Sequence, residues 1–407
     1  MRRKQRKQKK RKKINKGLAN IVIAAIKVYQ RTFSPDKLPS FRLKGRICHH
    51  KPHCSQYGIE VLKKNGFYPG IIYMIDRITS CTGAVKKTKD PSSYKVIFFS
   101  SAPIGLPFLE ELENDPRYEC IGVVTTPDKP SRGMKVKENI IKTTAKKMQK
   151  EVVTPPSLRT ISKKYGTEAT AFETWLKEKK PDLLVVIAYG KIIPQSILDI
   201  PQVGPINVHG SLLPEYRGAS PIQSIFLDGK KESITIMRMD ALDTGPMLAI
   251  KETTLYIERT ALDLIKRMQK EGPAFLNNTM RDYAKGHLDE QQQDNSKATH
   301  CGKIEKEQGK IDLYTQTLEE VYHIYQGCYL RPKTRYILDE RRGKNKGKRI
   351  IIEECIINKE NYQAEKNKTL ITQNKQLNKA IVSLKIKPEG SKAMSREDFL
   401  KGYTQEG

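Results

Sequence analysis

The stretch Pro181-Asp182-Leu183-Leu184-Val185-Val186-Ile187-Ala188-Tyr189-Gly190 constrains this chain more than any other. An unbroken apolar, mostly β-branched run between turn-forming residues reads as a strand buried on both faces, since a strand with one wet face would alternate polar and apolar. Such a strand needs a packed layer on each side of its sheet. Lys95 to Phe99, Ile121 to Thr125, Ser233 to Met237 and Leu248 to Ile250 are further short strand-like runs. Helix-like segments carrying Leu109 and Leu112, Ala171 to Leu176, and Ala261 to Met268 fall among them. Strand and helix in alternation predict an α/β fold with a mostly parallel, doubly wound sheet. Neither GxGxxG nor GxxxxGKS/T occurs, so no motif points to a dinucleotide or a nucleoside triphosphate.

Ile206-Asn207-Val208-His209-Gly210-Ser211-Leu212-Leu213-Pro214 follows as a neighbouring strand and turn. Side chains alternate along a strand, so Asn207 and His209 share one face while Ile206 and Val208 point into the core. An amide beside an imidazole, with Gly210 after them, suits the holding of a carbonyl group. Asp243, in Leu242-Asp243-Thr244-Gly245 beyond the next strand, is the third candidate. Taken singly, these are a turn Asn, a satisfied His and a surface Asp. Taken together at the C-terminal end of a parallel sheet, where such folds bind ligands, they make a catalytic constellation.

Length and charge indicate how much lies outside that domain. A chain of 407 residues is too long for one ordinary core. Its net charge of +30 attracts polyanions, meaning nucleic acid or an anionic membrane face. Met1 to Lys16 is Lys, Arg and Gln with scarcely anything else, and is expected to be disordered in isolation. Leu18 to Val28 is an apolar helix-length segment behind that arm. The pair suits lying in a headgroup layer, each basic residue adding about 1 kcal/mol near an anionic surface. No run reaches the roughly 18 apolar residues of a membrane span, and no small-residue cleavage site marks a signal peptide. A cytoplasmic chain, peripheral on the cytoplasmic face of the cell membrane, is therefore expected. Seven cysteines without a framework spacing predict reduced thiols. Cys48-His49-His50-Lys51-Pro52-His53-Cys54 crowds five potential ligands together, but no second cysteine pair at metal spacing follows, so no metal is expected.

Composition shifts divide the chain into a basic, mainly helical, membrane-surface module (1–92), a catalytic domain (93–290), a linker (291–300) within the Gln-rich stretch, and a third unit (301–407). That third unit holds strand-like Arg349 to Glu353 and Ala380 to Ile386 amid lysines and arginines, which reads as a small basic β barrel. A monomer is expected.

The first module resembles the YidD family, small basic proteins linked to membrane-protein insertion. The likeness is carried by Tyr29-Gln30, Ser34-Pro35, Cys48, Pro52, Cys54-Ser55, Tyr57, Gly66, Gly70, Arg77 and Cys81. His49 and His50 depart from the family's usual Arg-Phe.

Asn207 to Pro214 resembles the signature of folate-dependent formyltransferases. Tyr216-Arg217-Gly218-Ala219-Ser220-Pro221-Ile222-Gln223 narrows the likeness to the methionyl-tRNA formyltransferases, as do Pro127 to Pro130 with Arg132-Gly133, Met239 through Gly245, and Gly309 to Asp312. The resemblance runs from about Lys95 to the end. It implies a Rossmann-like catalytic domain followed by an OB-like barrel. It further implies formyl transfer from 10-formyltetrahydrofolate to the amine of initiator methionyl-tRNA, without a metal. In that likeness Asn207 and a protonated His209 stabilise an oxyanion, while Asp243 keeps His209 charged and relays the amine proton. The folate would lie against Ile187, Ala188, Tyr189 and Gly190, against Ser211, Leu212, Leu213 and Pro214, and against Leu242 and Thr244. The tRNA would meet Arg132, Lys135 and Lys137 in the basic stretch Lys129 to Lys142, and Lys392 in the third unit. Ser100 and Ser131 stand where the family has Gly. Two other readings stay open: a formyltransferase for another amine such as an amino sugar, and a membrane-insertion factor with a decayed formyltransferase.

Overall fold

The computed structural model describes residues 2–32, 54–68, 70–71, 74–75, 93–130, 136–240, 243–252, 259–312, 315–337, 348–370 and 377–398. In chain order the first strands are β1 (Tyr94–Ser100), β2 (Tyr118–Val124), the short hairpin partners β3 (Lys129–Pro130) and β4 (Val136–Lys137), β5 (Val152–Val153) and β6 (Leu183–Ile187). They are followed by β7 (Gly204–His209), β8 (Arg217–Gly218), β9 (Ser233–Arg238), β10 (Met247–Glu252) and β11 (His300–Cys301). Seven of them form one sheet in the order β10-β9-β7-β6-β1-β2-β5. The five from β7 to β5 run parallel, whereas β9 is antiparallel to β7 and β10 to β9.

Helices cover both faces, as the apolar β6 requires. After α1 (Arg2–Thr32) and α2 (Cys54–Asn65) of the N-terminal module, the helices of this domain are α3 (Leu106–Asn114), α4 (Ile140–Lys147), α5 (Gly166–Lys179), α6 (Gln195–Leu198), α7 (Pro221–Leu227) and α8 (Ala261–Ala284). Along β1, Val96 and Phe98 pack with Phe108 and Leu109 of α3, Ile141 of α4 and Leu264 and Leu276 of α8. Ile97 and Phe99 face the other way, onto Phe172 and Leu176 of α5 and Ile197 of α6. Each large apolar side chain buried this way contributes about 1.5–3 kcal/mol. Helix α8 is much longer than the expected Ala261 to Met268. It starts at a capping box between Thr260 and Asp263, runs through Pro273, and lays Gly272 so close to Phe108 that a Cβ there would sit 2.4 Å from the ring.

The third unit holds α9 (Leu318–Gly327), β12 (Arg335–Ile337), β13 (Arg349–Ile357), α10 (Lys359–Glu365), β14 (Ile381–Pro388) and β15 (Met394–Ser395). Its strands form an antiparallel sheet in the order β12-β13-β14-β15, packed on Leu318, Val321, Tyr322 and Tyr325 of α9. Along β14, Leu384 and Ile386 point inward and Lys385 and Lys387 outward, giving one apolar and one basic face. Barrel closure is not seen among the described strands; residues 338–347, 371–376 and 399–407 lie outside them.

At the N-terminus, Ala19 and Ile23 of α1 pack on Ile59 and Leu62 of α2 in a separate small core. The basic arm expected to be disordered is instead the first half of α1. Lys, Arg and Gln are good helix formers, and the packed half supplies a nucleus from which the helix extends. Among the described residues no helix is long and apolar enough to cross a membrane. Cys120, Cys301, Cys328 and Cys355 are buried free thiols; Cys48 and Cys81 lie outside the described residues.

Candidate active site

The sheet places β7 between β6 and β9, with Asn207 beside Val186 and opposite Met237, and His209 opposite Thr235. Ile206 and Val208 join the α3–α8 layer, so the strand's alternation sends Asn207 and His209 to the opposite face. Both are almost enclosed, Asn207 at 8% and His209 at 4% exposure.

Ser211 fixes the imidazole. Its Oγ donates to the Glu215 carbonyl at 2.8 Å and lies 2.9 Å from His209 Nδ1. A hydroxyl has one hydrogen, already given to Glu215, so it accepts from Nδ1–H and leaves Nε2 aimed into the site. That Nε2 is buried and has no hydrogen-bond partner. Thr235 secures the same turn, donating from Oγ1 to the Ser211 carbonyl at 2.6 Å.

Asp243 closes the group. One carboxylate oxygen, Oδ2, lies 3.6 Å from His209 Nε2 and accepts from the Gly218 N–H at 3.0 Å. The other, Oδ1, accepts from Asn207 Nδ2 at 3.4 Å. A proton on Nε2 would therefore sit between imidazole and carboxylate. Burial alone would raise the Asp243 carboxyl, but the His209 imidazole, the Gly218 N–H and the Arg217 guanidinium outweigh it and hold it below its ordinary 3.8. Asp243 has φ +61°, a left-handed conformation that costs a residue with a side chain about 1–2 kcal/mol. Glycine is required two residues on, at Gly245, because a Cβ there would lie 2.0 Å from the Arg238 carbonyl.

Two further residues support the site: Arg217, which the sequence offers only as a motif residue with no role, and Gln293, which it does not single out. Arg217, buried at 4% exposure, donates from Nε and Nη2 to Gln293 Oε1 at 3.0 and 2.8 Å, and from Nη2 to Asn295 Oδ1 at 2.8 Å. Gln293 Nε2 donates to the Asp243 carbonyl at 2.9 Å and the Gly245 carbonyl at 2.6 Å. The signal available was a lone Arg within an otherwise small and apolar motif, since a buried guanidinium demands partners.

The expected ligand-contact residues divide. Ile187 and Leu213 have core side chains, Leu213 packing on Met237 and Met247. The buried Tyr189 ring meets Phe99 edge-on at 5.3 Å. Ala188 and Gly190 are exposed with φ +45° and +78°, and a Cβ at Gly190 would meet nothing within 4 Å. What this stretch offers a ligand is therefore main chain and open space. Leu212 and Pro214 are half-buried, Ser211 is occupied by His209, and Thr244 is exposed. Leu242, Arg132 and Lys135 lie outside the described residues. Lys137 pairs with Lys129 in the β3–β4 hairpin, and Lys392 is exposed between β14 and β15. Among the described residues no group of three or more His, Cys, Asp and Glu is gathered as a metal site; the Cys48 to His53 run falls outside them.

Comparison with known proteins bears on all three units. Residues 95–280 match the formyl transferase family and residues 303–404 the formyl transferase C-terminal domain. Residues 18–93 match YidD, the membrane protein insertion efficiency factor family. The methionyl-tRNA formyltransferase of Caldicellulosiruptor saccharolyticus is 33% identical over 326 residues, covering 76% of this chain and 96% of that one. That of Pseudomonas fluorescens is 39% identical over 228 residues, 55% of this chain and 68% of its own. Among solved structures, a sugar N-formyltransferase from a Shewanella species aligns at 17% identity and TM-score 0.46 over 64% of this chain and 97% of its own, too loose a likeness to argue from. By the first of these relatives, matched over nearly its whole length, the chain belongs to the methionyl-tRNA formyltransferase family and carries a YidD module ahead of it.

Proposed function

We propose that this chain transfers the formyl group of 10-formyltetrahydrofolate to the amine of methionine esterified to initiator tRNA. The observation that carries the reading is the meeting of Asn207 and His209 with Asp243, both nitrogens within 3.6 Å of its carboxylate. The folate fits the residues present: the buried His209 Nε2 makes no hydrogen bond shorter than its 3.6 Å approach to Asp243, and Ala188 and exposed Gly190 border open space. When bound, it supplies an activated formyl carbonyl.

Asn207 Nδ2 and a proton on His209 Nε2 are donors for the negative charge that grows on a carbonyl oxygen under attack. Fixed in advance by the sheet, such donors need no reorganisation, and each is worth roughly 3 kcal/mol. Asp243, charged because its neighbours hold its carboxyl low, keeps that imidazole proton in place and passes the proton that the amine loses to the departing folate nitrogen, so that it ends the step charged as it began. The basic stretch Lys129 to Lys142 with Arg132, Lys135 and Lys137, and the basic face of the C-terminal sheet together with Lys392, hold the tRNA through its phosphates. The chain acts as a cytoplasmic monomer.

The N-terminal module holds the enzyme at an anionic membrane surface. Exposed Ile21, Val28 and Tyr29 of α1 lie outside the small core and would enter the headgroup layer, with the basic residues on its lipid phosphates. Removing residues 1–31 should release the protein from anionic vesicles and leave transfer intact; equal vesicle binding by both forms refutes this role.

The test of the main reading is formyl transfer with methionyl-tRNA and an amino sugar as competing acceptors. Wild type should formylate methionyl-tRNA, and Asn207→Ala should slow it about a hundredfold or more. Transfer to the sugar alone would replace the acceptor, and transfer to neither would remove the enzymatic reading.

A further inference from the structure

Gln293 lies between the two formyl transferase matches, and no step of the transfer chemistry calls for it. We propose that Gln293, locked by the buried Arg217, is a positioning residue that holds the Asp243 turn in its working geometry. The proposal rests on the reading of Asp243 as part of the transfer site.

The orientation of the amide is fixed. Arg217 can only donate, so the Gln293 atom it touches twice must be Oε1. Nε2 then has two hydrogens and two acceptors, the carbonyls of Asp243 and Gly245. Those carbonyls lie at either end of a turn whose first residue has a left-handed backbone that its side chain disfavours. One amide pins both, from a side chain only 9% exposed.

The carboxylate is held by the same piece of chain. Gly218, next to Arg217 in β8, donates its N–H to Asp243 Oδ2. Strand β8 is itself paired in parallel with β11, Arg217 beside His300 and Gly218 beside Cys301. Gly218 has φ +122°, and a Cβ there would lie 2.3 Å from the Cys301 carbonyl. On the other side, Gln291 exchanges two backbone bonds with Met247, at 2.8 and 2.9 Å. Residues 291–301 therefore run as a bonded strap along the turn, with Gln293 as the contact that reaches Asp243.

The test uses the full chain and turns on what Gln293→Glu keeps. A carboxylate there still partners Arg217 but gives the two carbonyls no donor. Gln293→Glu should lower kcat by about tenfold to a hundredfold, with KM for both substrates within about twofold, since displacements near 1 Å carry that cost. Gln293→Met, which removes the donor to both carbonyls and also the acceptor of two Arg217 bonds without adding charge, should give the same split. Asn295→Ala, which removes one Arg217 bond and leaves both carbonyls paired, should stay within about threefold of wild type. A second readout needs no turnover: the ¹⁵N signal of His209 Nε2 should move in Gln293→Met in the direction that it moves in Asp243→Asn. Wild-type kcat in Gln293→Met, or a His209 signal that does not move, overturns the proposal. Inactive wild type with the His209 coupling intact would instead fall on the formyl-transfer reading.

Discussion

Replacing Ser211 by Ala removes one oxygen from a fully buried position and separates two effects. The Glu215 carbonyl loses its donor, and His209 Nδ1–H loses its acceptor. Each unpaired group costs about 1–3 kcal/mol. The first loss falls on the turn and therefore on stability, lowering the thermal midpoint by a few degrees. The second falls on the imidazole, which is free to rotate or to shift its proton to the other nitrogen. If that cost is borne by the transfer step, kcat drops roughly five- to 150-fold. Steady-state formyl transfer, read together with a calorimetric melt, separates the two. Thr235→Val is the comparator, because Thr235 braces the same turn through its bond to the Ser211 carbonyl and makes no side-chain hydrogen bond to the ring among those seen. It should cost about 1 kcal/mol of stability and leave kcat within about threefold of wild type. A Ser211→Ala protein with kcat within about twofold of wild type, whatever its melting point, refutes the orienting role.

Asp243 also gives a pH signature. Its folded carboxyl titrates below the ordinary 3.8, so between the two values the unfolded chain binds more protons. Its contribution to stability is complete above the unfolded value and is lost as pH falls through the folded one. The stability advantage of wild type over Asp243→Asn, from urea unfolding, should shrink on acidification below about pH 4 and not grow. Gly229→Ala should destabilise by about 1–3 kcal/mol in calorimetry, since Gly229 has φ +61° and a Cβ would lie 2.5 Å from the His323 ring of α9; an unchanged melt contradicts this. Binding of tRNA should weaken by roughly a thousandfold or more from 50 to 200 mM salt if about six phosphates are contacted. A flat salt dependence in filter binding would remove the basic loop and sheet from the tRNA interface.

Much of this was legible because it is local. A strand's period of two places Asn207 and His209 on one face from four residues alone, and the apolar Leu183 to Ile187 dictates a covered sheet wherever its neighbours lie. Helix α8 runs well past Met268, through Gly272 and Pro273, two residues that disfavour a helix interior. The Phe108 ring fills the space that Gly272 leaves open, and that contact lies more than 160 residues away in the chain. The partner of Arg217 was hidden in the same way. A polar Gln-rich stretch has the composition of a free connector, and only the fold brings Gln293 to a guanidinium and two carbonyls. The basic arm looked unstructured because its charge outweighs its helix propensity on composition alone, whereas α1 is anchored through Ala19 and Ile23.

The most direct measurement is single-turnover transfer from 10-formyltetrahydrofolate to methionyl-tRNA by wild type and Asp243→Asn, with tRNA affinity measured on both. Wild type should form formylmethionyl-tRNA. Asp243→Asn should bind tRNA equally and transfer about a hundredfold or more slowly, because it can neither hold the His209 proton nor accept one from the amine. Transfer by Asp243→Asn at the wild-type rate would show that the carboxylate beside Asn207 and His209 takes no part in the chemistry.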